Sequence, residues 1–115
     1  MSKPVLFLLA PGFIGDNRRE YCPECAELWG VLSYFPAILQ ALDISYQPIN
    51  RPRPDMVKIL GADNQNCPTL LFPKDYELVG DSPFSEVNGR IFINNARDIG
   101  VYFSHAYGTP WPRGH

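Results

Sequence analysis

Residues 5–32 read VLFLLAPGFIGDNRREYCPECAELWGVL, and this stretch decides the fold. Val5 to Leu9 is an unbroken apolar run of strand length, ended by Pro11-Gly12. A run without polar alternation belongs inside a sheet covered on both faces. A polar loop, Gly15 to Tyr21, then leads to Cys22. Pro23 suits a first helical position, because the N–H it lacks would have no partner there. Glu24 and Glu27 fall in the first turn, where the helix dipole favours negative charge. The helix is predicted to continue through Leu28, Trp29, Val31, Leu32, Phe35, Ile38, Leu39 and Leu42, with a kink at Pro36. Its apolar surface is wider than one stripe, so it packs on more than one side. Aromatic residues at this spacing, Trp29, Tyr34 and Phe35, read first as core and second as the lining of a cleft.

Beyond this helix, residues 43–50 alternate Ile44, Tyr46 and Ile49 as a second strand, with Pro48 marking an exposed end. Asp55 to Leu60 reads as a short helix stopped by Gly61. Cys67-Pro68-Thr69-Leu70-Leu71-Phe72 is a third strand with proline at its start. Arg90-Ile91-Phe92-Ile93 is a fourth, entered through the turn signal Asn88-Gly89. Asn95 caps a last helix, with Asp98 as its partner three residues on and Ile99, Tyr102, Phe103 and Ala106 as its apolar face. The order is therefore β-α-β-α-β-β-α, an α/β fold with a central mixed sheet. The expected division is one domain over residues 1–107 and an irregular tail over 108–115.

The chain has 115 residues and is 45% hydrophobic, enough for one sizeable core. Its net charge of −2 and scattered basic residues argue against nucleic acid as a partner. No run approaches the ~18 apolar residues of a membrane span, so no membrane partner is expected. Lys3 and the run after it resemble the start of a secretory signal, but no small-residue cleavage site follows. Three cysteines, an odd number, fit a reducing cytoplasm better than a disulfide scaffold.

A Cys-x-x-Cys pair between a buried strand and a helix is a redox signature. Cys22 lies at the helix N-terminus, where unpaired N–H groups and the dipole favour a thiolate. Cys25, one turn inward, is near enough to attack a mixed disulfide formed at Cys22. Cys22 is thus the expected nucleophile and Cys25 the resolving thiol. An inert pair or half of a zinc site is the alternative, though no second ligand pair follows at zinc-ribbon spacing. His105 and His115, late in the chain, read as solvated.

With Cys22-Pro23-Glu24-Cys25 and Cys67-Pro68-Thr69 both in place, the chain resembles the thioredoxin-like superfamily, including glutaredoxins and the N-terminal domains of glutathione S-transferases. The segment from Ile93 to Phe103 is similar to the last-helix entry of the transferase domain. The likeness runs from about Val5 to about His105, and suits an uncharacterised bacterial thioredoxin-like family better than any named enzyme. It implies a cis-proline at Pro68, facing the dithiol, with the backbone of Cys67 presented to a bound peptide or glutathione. It also implies substrate contacts at Cys67, Pro68, Thr69, Asn94 and Asn95, the two asparagines standing where transferases hold the γ-glutamyl end. Here Asn94 replaces an acid, the loop from Pro73 to Gly89 is long, and no helical domain follows, so transfer of glutathione to electrophiles is not expected.

The expected function is a cytoplasmic thiol–disulfide oxidoreductase acting on a protein disulfide or a low-molecular-weight thiol. It requires no cofactor, with glutathione as a candidate co-substrate. The alternative is a binding module without turnover, holding a metal or an iron–sulfur centre through Cys22, Cys25 and Cys67. On its own, Cys67 reads as a small buried hydrophobe.

Overall fold

In the computed structural model, which describes residues 2–114, Val5–Leu9 forms β1, an interior strand of a five-stranded mixed sheet. Leu6, Phe7, Leu8 and Leu9 are all buried, so side chains pointing to either face are covered. The chain then makes a small hairpin, β2 (Phe13–Gly15) and β3 (Arg18–Glu20), where the sequence suggested a loop. Asp16 and Asn17, both at positive φ, form its tight turn. That hairpin stands apart from the main sheet.

Helix α1 runs over Pro23–Tyr34, and Pro36 does more than kink it. The helix ends, and Pro36–Ala41 continues as a separate 3-10 turn. Proline removes a backbone donor and crowds the carbonyl four residues earlier, so an uninterrupted helix is not available there. Cys25, Leu28 and Leu32 face the core. Tyr34 is 81% exposed and Phe35 36%, so these two aromatics are not core residues as their spacing suggested.

Strand β4 (Asp43–Gln47) pairs parallel with β1 along one edge and stops before Pro48. Helix α2 (Pro54–Leu60) ends on Gly61 at positive φ. It buries Met56 and Leu60. Strand β5 (Thr69–Leu71) lies antiparallel to β1 on its other side. Strand β7 (Arg90–Ile93) follows β5, and β6 (Ser85–Val87) closes the second edge, giving the order β4-β1-β5-β7-β6. The sequence reading had no β6. Asn88 and Gly89, both at positive φ, turn β6 into β7.

Helix α3 (Ala96–Tyr107) starts on Asn95, whose side chain accepts the Asp98 N–H, and ends on left-handed Gly108. Its residues Ile99, Tyr102 and Phe103 join the core, and α3 packs against α1 and β5. Residues 108–114 form no helix or strand, but they are not loose. Pro110 O accepts the Ser104 hydroxyl, and Trp111 lies edge-on to His105. His105, expected to be solvated, is only partly exposed and also faces Asp81. His115 lies outside the described residues. No described helix is long and apolar enough to cross a membrane.

Candidate functional site

The end of β1 and the start of α1 bring the two cysteines of the Cys-x-x-Cys motif together. Cys22 is the N-cap of α1, in extended backbone geometry, and its Sγ accepts the N–H of Cys25 at 3.2 Å. This is the role a serine or aspartate side chain usually fills. Cys22 is half-buried; Cys25 lies beneath it, buried, with its sulfur 3.5 Å from the N–H of Leu9. The two cysteines lie close, at 2.8 Å, and no disulfide joins them. Burial first, and then its hydrogen bond to Cys22, push the Cys25 thiol up to about 12, against a lowering contribution from the Leu9 N–H. Cys25 therefore keeps its proton at neutral pH.

The loop before β5 supplies the opposite wall. The Cys67–Pro68 peptide is cis, as is Arg51–Pro52, which the sequence did not suggest. The carbonyl oxygen of Cys67 lies 3.8 Å from the Sγ of Cys22, so the thiol can donate to it. The Cys67 side chain turns the other way, 3.8 Å from the sulfur of Met56 in α2. Burial pushes the Cys67 thiol up to about 11, with Arg53 the largest opposing influence. Cys67 thus offers its backbone to the dithiol and keeps its sulfur in the core. Among the described residues, no three His, Cys, Asp or Glu side chains are grouped to hold a metal ion.

The other residues assigned to substrate by resemblance are occupied in other ways. Thr69 is buried and its hydroxyl donates to Asn66 O at 2.6 Å. The amide of Asn66 also donates to Asn94 O at 2.6 Å, tying the β5 entry to the end of β7. Asn94 itself is exposed. Asn95 uses both ends of its side chain on Asp98: Oδ1 accepts the backbone N–H at 2.9 Å, and Nδ2 donates to Oδ2 at 2.8 Å.

Two features of the site escaped the sequence reading. Glu24, between the cysteines, reaches across to α3, where its Oε1 accepts the N–H of Ala96 at 3.1 Å. The helix end that could receive a ligand carboxylate therefore already holds a carboxylate of the chain. The second feature is Arg53, 5% exposed, which donates to the carbonyls of Pro48, Ile49 and Gln65. Its own N–H goes to Oε1 of Gln65. This clamp holds the segment between β4 and α2 against the loop that leads to Cys67. In sequence, Arg51-Pro-Arg-Pro reads only as a turn.

Beside the dithiol lies an open cleft of about 400 Å³, lined by Leu9, Pro11, Tyr21, Cys22, Cys25, Ala26 and Trp29. None of these side chains carries a fixed charge. Trp29, read first as core and second as a cleft lining, does both: it is partly buried against the core and forms part of this wall.

Residues 3–111 match the family described as "Protein of unknown function (DUF3088)", and the chain belongs to that family. No curated protein and no solved structure gives a significant match to the chain.

Proposed function

We propose that this member of the DUF3088 family is a thiol–disulfide oxidoreductase with a thioredoxin-like fold. The observation that carries the proposal is the stacking of Cys22 and Cys25 at the N-terminus of α1. A half-exposed sulfur lies directly over a buried one, with the Cys67 carbonyl alongside. The sheet supports the fold assignment: a parallel β1/β4 pair joined through α1, then two antiparallel strands and a final helix.

In the reduced protein, Cys22 loses its proton and attacks one sulfur of a substrate disulfide. The substrate S–S bond breaks, a Cys22–substrate disulfide forms, and the first substrate thiolate leaves and takes up a proton. Cys25 then gives up its proton and attacks the Cys22 sulfur. This forms the Cys22–Cys25 disulfide and releases the second substrate thiol. The substrate gains two electrons and the protein loses two, so an external dithiol, or two monothiols, must reduce the protein for another round. The raised affinity of Cys25 for its proton suits this division of labour, because Cys22 is the reachable thiol of the two. The odd cysteine count supports work in a reducing compartment such as the cytoplasm.

The test is the redox equilibrium of the purified protein in poised glutathione buffers, read by thiol alkylation and intact mass. The expected result is a reversible two-electron transition between Cys22 and Cys25, within roughly −120 to −270 mV. Thiols that stay reduced throughout, or titrate independently, would refute the proposal.

A further inference from the structure

We infer that the dithiol serves polypeptide disulfides flanked by a bulky apolar residue, and that oxidised glutathione is a poor substrate. This rests on the oxidoreductase proposal and narrows it to a substrate class. Two independent observations lead there, one on each side of Cys22.

The first is the apolar cleft. Its wall runs from Leu9 and Pro11 past Tyr21 to Trp29, and Cys22 forms part of it. A volume of about 400 Å³ takes one large aliphatic or aromatic side chain. Tyr21 is 64% exposed at the rim, so the cleft opens to solvent and a backbone can lie across its mouth. The Cys67 carbonyl lies 3.8 Å from the Cys22 sulfur, and it loses its S–H donor once Cys22 gives up its proton. A polypeptide N–H can replace that donor. Glutathione, with two carboxylates and an ammonium group in each half, offers this wall nothing to bury.

The second is the state of the α3 N-terminus. A γ-glutamyl carboxylate held beside Cys22 would need backbone donors such as the N–H groups that open α3. The Ala96 N–H is already given to Glu24 and the Asp98 N–H to Asn95. At the Ala96 N–H a ligand carboxylate would have to displace Glu24, which is part of the Cys-x-x-Cys motif itself. Glu24, exposed and between the two cysteines, also brings negative charge within a Debye length of the dithiol. The basic groups around the site are otherwise engaged: Arg97 faces Glu27, Arg53 donates to three backbone carbonyls, Arg18 pairs with Glu20, and Arg19 lies over Gly12. None of them lines the cleft.

The experiment is a single-turnover comparison with the pre-reduced full-length protein and three oxidants. Two are octapeptides with an internal disulfide, identical except for Leu or Glu after the first cysteine. The third is oxidised glutathione. Each rate is divided by the rate at which dithiothreitol reduces the same compound, which removes differences in intrinsic disulfide reactivity. The Leu peptide is expected to react at least about tenfold faster than both the Glu peptide and oxidised glutathione, in line with the discrimination one apolar contact gives. Trp29→Ala should reduce the Leu-over-Glu preference to about threefold or less. Glu24→Ala, which vacates the α3 N-terminus, should narrow the gap between the Leu peptide and glutathione about fivefold. Oxidised glutathione reacting as fast as the Leu peptide, with Cys22→Ser inert, would overturn the inference and leave the oxidoreductase proposal standing. Failure of the reduced protein to react with all three oxidants would overturn both.

Discussion

The Sγ of Cys22 lies 3.8 Å from the carbonyl oxygen of Cys67, a residue 45 positions further along the chain. The contact joins the start of α1 to the entry of β5, so the Cys22 sulfur sits in a notch between two elements. Cys25 closes the floor of that notch. If Cys22 attacks and Cys25 resolves, the two cysteines must fail differently when replaced. Cys22→Ser should abolish single-turnover disulfide reduction. Cys25→Ser should still attack once and accumulate a covalent protein–substrate disulfide, visible by intact mass as the added mass of the substrate. Full activity in both variants would exclude this mechanism.

Alkylation gives a second, pH-resolved check. Cys22 is half-exposed, whereas burial raises Cys25 to about 12 and Cys67 to about 11. Iodoacetamide at pH 8 should therefore label one thiol per folded chain and all three in denaturant, with the single label on Cys22. The same shifts fix a stability trend. Both buried thiols bind their protons more tightly folded than unfolded, where the ordinary value is 9.0. Their contribution to stability is complete below about pH 9 and is lost as the unfolded chain, but not the folded one, gives up those protons. The urea midpoint should fall steadily from pH 9 to 11, and the fall should be shallower in Cys25→Ala than in the wild type.

The main sheet and the dithiol were legible because local signals agreed with the tertiary solution. Val5 to Leu9 is too apolar for an edge strand, Pro23 and Glu24 start a helix, and Asn95 with Asp98 caps another. The β2–β3 hairpin was hidden because Arg18, Arg19 and Glu20 carry no apolar alternation, and its turn uses Asp16-Asn17 without glycine. The β6 strand has only three residues, below the length at which a period of two can be recognised. The Arg53 clamp left no trace because its acceptors are backbone carbonyls, which have no sequence signature. Glu24 fitted a simpler role, first-turn charge in its own helix, and that obscured its use as a cap on another.

Arg53 yields the strongest stability prediction. Its guanidinium is buried, and three carbonyls depend on it. Arg53→Met preserves much of the side-chain volume but removes every side-chain donor. The stranded carbonyls should lower stability by about 2–4 kcal/mol. Arg53→Lys can reach one or two of the carbonyls and should recover part of that loss. Urea denaturation of the three proteins measures the effect. A loss below about 0.5 kcal/mol in Arg53→Met would mean that water replaces the guanidinium without cost.

Glu24 and Glu27 both tie α1 to α3, but by different physics. Glu24 accepts the Ala96 N–H at 3.1 Å, satisfying a donor that begins a helix. Glu27 faces Arg97 at 3.6 Å, with both side chains substantially exposed. An exposed ion pair is worth about 0–1 kcal/mol and is screened by salt. Loss of a capping acceptor costs about 0.5–2 kcal/mol, and much of that is a hydrogen bond that salt does not remove. Glu24→Ala should therefore destabilise the protein more than Glu27→Ala in 0.5 M sodium chloride, where the Glu27 effect should be nearly gone. Glu24→Gln, which retains an amide oxygen to accept the N–H, should fall between Glu24→Ala and the wild type. Equal losses for the two alanine variants at high salt would mean that Glu24 acts through charge alone. The α3 N-terminus would then be only weakly held by the dithiol helix.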